Sequence, residues 1–225
     1  MIVAIDFGVT NTDVVLSNNS QLKFFSMPSK SANESFIDEI ISLIDTDITE
    51  INQIAVTGGK SNELNESYKG VNLTKISETD AIGYGAKEIY KIKNEPFITL
   101  SCGTGTACIH HQDGQFSYVG GIAVGGGAIS GLSKAILDSS SLQKTTDLAL
   151  KGNRKNIDLL IGDVVNEIGL LNPNVTASNF AKLKDSNIFS KEDMSHAILN
   201  MVGEIIGTIG YLNAGLFGIK NIHFL

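Results

Sequence analysis

The chain has 225 residues, 42% of them hydrophobic, and a formal net charge of −7 from 17 Lys and Arg against 24 Asp and Glu. That suits a soluble chain of one large domain or two small lobes with a sizeable core. The acidic balance, with Arg154 as the sole arginine, argues against an electrostatic nucleic-acid binder, and no unbroken apolar run reaches the roughly 18 residues a membrane span takes.

MIVAIDFG reads as a short strand closed by glycine, beginning too early for a signal peptide to precede it. NTDVVLSNN and QLKFFSM follow as strands joined by tight turns, a β-meander. In NESFIDEIISLID, Phe36, Ile37, Ile40, Ile41 and Ile44 recur at helical spacing. INQIAVTGG is a buried strand ending in a glycine pair, and VNLTKIS a further strand candidate. ETDAIGYGAKEIYKIK reads as a helix with Ser77 or Glu78 near its start and Asp80 in its first turn.

The same grammar then restarts. FITLSCG, TACIHHQ and QFSYVGG form a second meander, with Asp113-Gly114 as a hairpin turn. GAISGLSKAILD is helical, and further helices are expected over 142–151, 177–183 and 192–217, before IHFL closes the chain as a strand. Cys102 and Cys108 flank the glycine hairpin without metal-ligand spacing and read as core thiols of a reducing cytoplasm. His110 and His111, beside the turn, are expected to be exposed. The element order suggests two similar lobes, residues 1–94 and 95–225, with a hinge near residues 94–96.

Glycine clusters carry the chemistry. Asp6-Phe7-Gly8-Val9-Thr10-Asn11-Thr12 joins the first two strands, and Gly103-Thr104-Gly105-Thr106 holds the matching place in the second meander. Gly120-Gly121 and Gly125-Gly126-Gly127 lead into a helix. A phosphate needs donors, and backbone N–H groups supply them where no Cβ blocks approach. Each cluster is either an ordinary turn or part of a polyphosphate cradle, with the helix adding its positive end. Asp6, ending a buried strand, calls for a cation, and phosphate-bound Mg²⁺ is a natural one.

These motifs, with VGGIAVGGGAISGL, resemble the acetate and sugar kinase, Hsp70 and actin superfamily. Within it the chain is similar to type II pantothenate kinases, including the fumble-like group, through Glu78-Thr79-Asp80-Ala81, Gly152-Asn153-Arg154, Thr176-Ala177-Ser178-Asn179-Phe180 and Val202-Gly203-Glu204. The resemblance implies an α/β fold of duplicated ribonuclease-H-like lobes of the actin-like ATPase kind, mixed sheets flanked by helices, closing on ATP and Mg²⁺. It implies a cytoplasmic enzyme that moves the γ-phosphate of ATP to the primary hydroxyl of pantothenate, the first step to coenzyme A. By position, Glu78 would be the general base, Asp6 would sit by the metal, and Gly8, Thr10, Asn11, Gly103, Thr104, Gly105 and Thr106 by the phosphates. Gly125, Gly126 and Gly127 would lie beside the nucleotide, with Tyr118, Gly120 and Gly121 on the substrate side. The long helix near the end would make a homodimer.

Three departures from the family pattern bear on activity. Tyr118 stands where relatives carry a substrate-binding arginine, Arg154 matching a different one, and Lys60, Lys69 and Lys75 are the candidate replacements. Val9 and Asp13 replace a glycine and a lysine of the first hairpin. Relatives continue beyond the strand ending at Leu225, so either the sequence is shortened or part of the nucleotide pocket is missing. Two other readings therefore stand beside the kinase: a non-catalytic ATP-binding sensor, and, from Thr12-Asp13, a hydantoinase-type ATPase.

Overall fold

A computed structural model of the chain describes residues 1–19, 21–165, 172–185 and 189–225. The chain divides into two compact units, Met1–Glu95 with Asp113–Ser117, and Pro96–Gln112 with Tyr118–Leu225.

The first unit contains β1 (Ile2–Phe7), β2 (Asn11–Asn18), β3 (Gln21–Pro28), α1 (Glu34–Leu43), β4 (Gln53–Thr57), β5 (Ser67–Tyr68), β6 (Val71–Lys75) and α2 (Glu78–Ile89). Its sheet runs β3-β2-β1-β4-β6-β5, antiparallel through the meander and parallel from β1 to β4 to β6. Strict alternation places Val3, Ile5 and Phe7 of β1 in the core against Phe36, Ile37 and Ile40 of α1. Ala4 and Asp6 therefore face the other way, and a one-residue slip would exchange the two faces.

The second unit contains β7 (Phe97–Cys102), β8 (Thr106–Gln112), β9 (Gln115–Ile122), α3 (Gly126–Leu137), α4 (Leu142–Ala149), β10 (Leu159–Leu160), α5 (Ile161–Val164), β11 (Thr176–Ser178), α6 (Lys191–Phe217) and β12 (Ile222–Phe224). Its main sheet, β12-β7-β8-β9, repeats the order β4-β1-β2-β3 of the first unit, each with its fourth strand parallel to its first. Phe97, Ile98, Thr99 and Leu100 of β7 are buried in succession, as befits a strand covered on both faces.

Four expectations change. Cys108 is buried as a core thiol, but Cys102, at the end of β7 beside the glycine hairpin, is exposed. Residues 177–183 are not a helix: β11 and a 3₁₀ turn (Ala181–Asp185) occupy them, because Thr176 and Ser178 pair with β10. His110 and His111 are buried, not exposed. Aromatic rings cover them, Phe217 stacking on His110 at 4.5 Å and Phe97 on His111 at 4.7 Å. Finally, α6 is long and apolar enough to cross a membrane by length and composition. Its glycines, Asn200 and Glu204 interrupt every apolar run yet leave the average high. Val202, Ile206 and Ala214 along it are buried with Ile98 and Leu100, whereas Tyr211, Leu212 and Leu216 are exposed.

Candidate active site

In the first unit, strand register sets three polar side chains side by side. Asp6 of β1 lies directly opposite Asp13 of β2 on one side and Thr57 of β4 on the other. All three border a cavity of about 210 Å³ whose remaining wall, including Ala4, Val15 and Ala55, is apolar. The Thr57 hydroxyl is buried and has no hydrogen-bond partner among the described residues.

Glu78 opens α2. The Ser77 hydroxyl caps this helix, accepting from the Asp80 amide at 3.1 Å and donating to the Asp80 carboxylate at 2.7 Å. Asp80 is thus spent on the helix start, while Glu78 stays open to solvent. The Asp6 carboxyl is held above its ordinary range, first by desolvation, then by the negative charges of Glu78 and Asp13. Like charges directly opposite across strands repel, and a divalent cation relieves that repulsion. No three His, Cys, Asp or Glu side chains among the described residues are grouped to hold a metal alone.

Gly58 belongs to this site and was not singled out from the sequence. Its φ is +72°, and a Cβ there would lie 2.3 Å from Oδ1 of Asp6 and 3.0 Å from the Phe7 carbonyl. The "TGG" that ends β4 is the signal that could have marked it: a glycine pair after a strand suggests a left-handed turn or a close backbone approach.

The first hairpin is tightly closed. A Cβ on Gly8 would lie 2.5 Å from the Asn11 carbonyl. Ser29, also missed, fastens the loop twice: its amide donates to the Thr10 carbonyl at 3.0 Å and its hydroxyl to the Gly8 carbonyl. The buried Thr12 hydroxyl lies 2.9 Å from that of Ser29. Val9, Thr10 and Asn11 remain exposed at the bend.

In the second unit the glycine clusters meet one another. The Gly126 and Gly127 amides donate to the carbonyls of Gly103 and Thr104, both at 2.9 Å. A Cβ on Gly125 would lie 2.8 Å from the carbonyls of Gly103 and Gly105, and one on Gly127 would meet Thr104 at 2.8 Å. These three glycines let the start of α3 dock on the hairpin, and two of the helix's free donors are consumed in doing so. Gly103 and Gly105 are freer; the nearest atoms to a Cβ there are 3.9 and 3.2 Å away. Thr106 is buried and its hydroxyl donates to the Val124 carbonyl at 2.8 Å, so it anchors the hairpin's far side.

On β9, Tyr118 is exposed and its hydroxyl reaches back to within 2.6 Å of where a Gly121 Cβ would stand. The Thr106 carbonyl closes the same position at 2.8 Å, whereas Gly120 is open. The cations weighed as stand-ins for the family arginine are engaged elsewhere. Arg154 donates to Thr176 at 2.8 Å and to the Asn174 carbonyl at 2.6 Å, and lies 3.5 Å from buried Asp158. Lys69 pairs with Asp38, Lys75 donates to the Asn62 carbonyl at 2.9 Å, and Lys60 lies 3.6 Å from Glu63.

Two meander sheets of one topology, each with a glycine hairpin between its first two strands, define the actin-like ATPase fold. A solved structure of the same kind is the activator of the 2-hydroxyisocaproyl-CoA dehydratase from Clostridium difficile with bound ADPNP. It covers 100% of this chain and 79% of its own at TM-score 0.61 and 15% identity. The chain belongs to the Fumble family, whose profile matches residues 8–225. The type II pantothenate kinase of Bacillus anthracis is 33% identical over 99% of this chain and 81% of its own length. Pantothenate kinase 1 of Arabidopsis thaliana is 31% identical over 76% of this chain and 49% of its own.

Proposed function

We propose that the protein is an ATP-dependent kinase that phosphorylates the primary hydroxyl of pantothenate. The observation that carries this reading is Glu78: an open carboxylate on a capped helix start, close enough to Asp6 to raise its pKa, in a chain that matches type II pantothenate kinases over nearly its whole length. Glu78 accepts the proton of the acceptor hydroxyl as that oxygen attacks the γ-phosphorus and the bond to the β-phosphate oxygen breaks. Asp6 would hold Mg²⁺, which would supply charge neutralisation on the phosphates. The bend at 8–11, shaped by Ser29, and the bend at 103–105, shaped by Gly125, Gly126 and Gly127, each offer backbone donors to phosphate oxygens.

The reading includes a cytoplasmic homodimer formed through α6. Tyr211, Leu212 and Leu216 are exposed on that helix, and Gly203, Gly207 and Gly215 have nothing within 4 Å of a Cβ. The non-catalytic ATP-binding sensor is favoured by one observation: Arg154, Lys60, Lys69 and Lys75 are each occupied, so nothing in their contacts replaces the positive charge missing at Tyr118. The Thr12-Asp13 likeness to hydantoinase-type ATPases has a local structural explanation, since Thr12 is buried against Ser29 and Asp13 pairs with Asp6.

ADP release with pantothenate, read beside calorimetric ATP binding, separates the readings. Pantothenate-dependent turnover lost in Glu78→Ala supports the kinase. ATP binding without turnover by any pantothenate analogue supports the sensor, and equal rates in both proteins remove Glu78 from the mechanism.

A further inference from the structure

Phe116 lies beyond the Asp113-Gly114 turn of the β8–β9 hairpin, within the segment Asp113–Ser117 that groups with the first unit. Both turn residues have positive φ, 52° and 79°, the geometry of a tight two-residue turn that fixes where the next side chains point. The Phe116 ring rests on α2 in a space left by the absence of a side chain. A Cβ on Gly83 would lie 2.1 Å from its Cδ1. The ring of the next residue, Tyr84, meets Phe116 edge-on, with centroids 4.8 Å apart and an interplanar angle of 72°.

A mid-helix glycine costs about 1 kcal/mol relative to alanine, so Gly83 has a local cost that the seat for Phe116 explains. Gly85, two residues on in the same helix, has nothing within 4 Å. About one and a half turns separate Gly83 from Glu78. In the other direction along the chain, Tyr118 follows Phe116 by two residues, and Gly120 and Gly121 come next on β9.

We infer that Phe116 is a positioning residue: seated on Gly83 and Tyr84, it ties the start of β9 to the helix that carries Glu78. Sliding or turning α2 would drive the Gly83 backbone into the ring, so the Phe116 seat fixes where the helix presents Glu78. The catalytic consequence rests on the kinase reading above, because displacement of an acceptor by about 1 Å can cost on the order of a hundred-fold in rate.

The test uses the full chain with Phe116→Ala, Phe116→Leu, Gly83→Ala and, as control, Gly85→Ala. Phe116→Ala and Gly83→Ala are expected to lower kcat/KM for pantothenate by about ten-fold or more, with ATP affinity kept. Phe116→Leu recovers part of the loss, and Gly85→Ala changes nothing. Amide hydrogen exchange is expected to quicken at 78–84 in Phe116→Ala, with β1 to β3 still protected. Exchange confined to 113–117, or an activity loss equal to the loss of folded protein, overturns the inference. If the wild type does not phosphorylate pantothenate, the kinase reading fails, and the exchange pattern still decides whether the seat holds α2 in place.

Discussion

Gly58 touches Asp6 so closely that a Cβ in its place would stand 2.3 Å from the carboxylate oxygen, and its φ of +72° independently disfavours any other residue. The turn after β4 is therefore the wall against which the Asp6 carboxylate is set. Gly58→Ala is expected to destabilise the fold by about 1–3 kcal/mol and to weaken Mg²⁺-dependent ATP binding. Gly70→Ala is the control: φ is +84° there, but nothing lies within 4 Å, so it carries backbone strain alone. Thermal denaturation and ATP titration with and without Mg²⁺ check this; equal losses of ATP affinity in both variants would refute it.

Asp193 joins the start of α6 to the loop before Arg154. It accepts from the Asn153 amide at 2.6 Å and from the Asn156 side chain at 2.8 Å. Burial would push its carboxyl up; the bonds from Asn156, Asn153 and Ser190 outweigh burial and hold it below the ordinary value. A depressed native pKa contributes stability above the unfolded pKa, and that contribution is lost as pH falls through the native value. Asp193→Asn should therefore cost about 1–2 kcal/mol at neutral pH, with the gap from wild type closing below about pH 4. Denaturant titrations at several pH values measure it, and a pH-independent gap would contradict the charge-based account.

The two kinds of glycine on α6 should behave oppositely. A Cβ on Gly210 would lie 2.5 Å from Leu100 in the core, whereas Gly207 is open. Gly210→Ala is expected to destabilise by about 1–3 kcal/mol through overpacking. Gly207→Ala should raise the stability of a free protomer by about 1 kcal/mol through helix propensity, while loosening a close-packed dimer. Denaturation paired with sedimentation separates these effects; a dimer unaffected by Gly207→Ala would move the interface off this face.

The regular framework was legible because its signals are local. Alternation in β1 and β2, the Ser77 cap of α2 and the glycine breaks after β1 and β7 each act within a few residues. What the sequence concealed depends on distant chain. β11 exists because Thr176 and Ser178 pair with β10, and His111 is buried because Phe97 covers it from another strand. The site was half visible. Asp6 and Glu78 stand out in sequence, but Gly58 and Ser29 matter only through what folding brings to them. Gly125, Gly126 and Gly127 stand out in sequence as a glycine cluster leading into a helix, but that they seat this helix on the hairpin depends on Gly103, Thr104 and Gly105, which only folding brings to them.

The central claim is that Glu78 deprotonates an acceptor hydroxyl beside an Asp6-bound Mg²⁺·ATP. Mass-spectrometric detection of phosphorylated pantothenate, made by the wild type and by Glu78→Gln at equal ATP occupancy, tests it most directly. Product from the wild type, reduced about a hundred-fold or more in Glu78→Gln, is the expected result. Product formed equally by both proteins, or by neither, would contradict it.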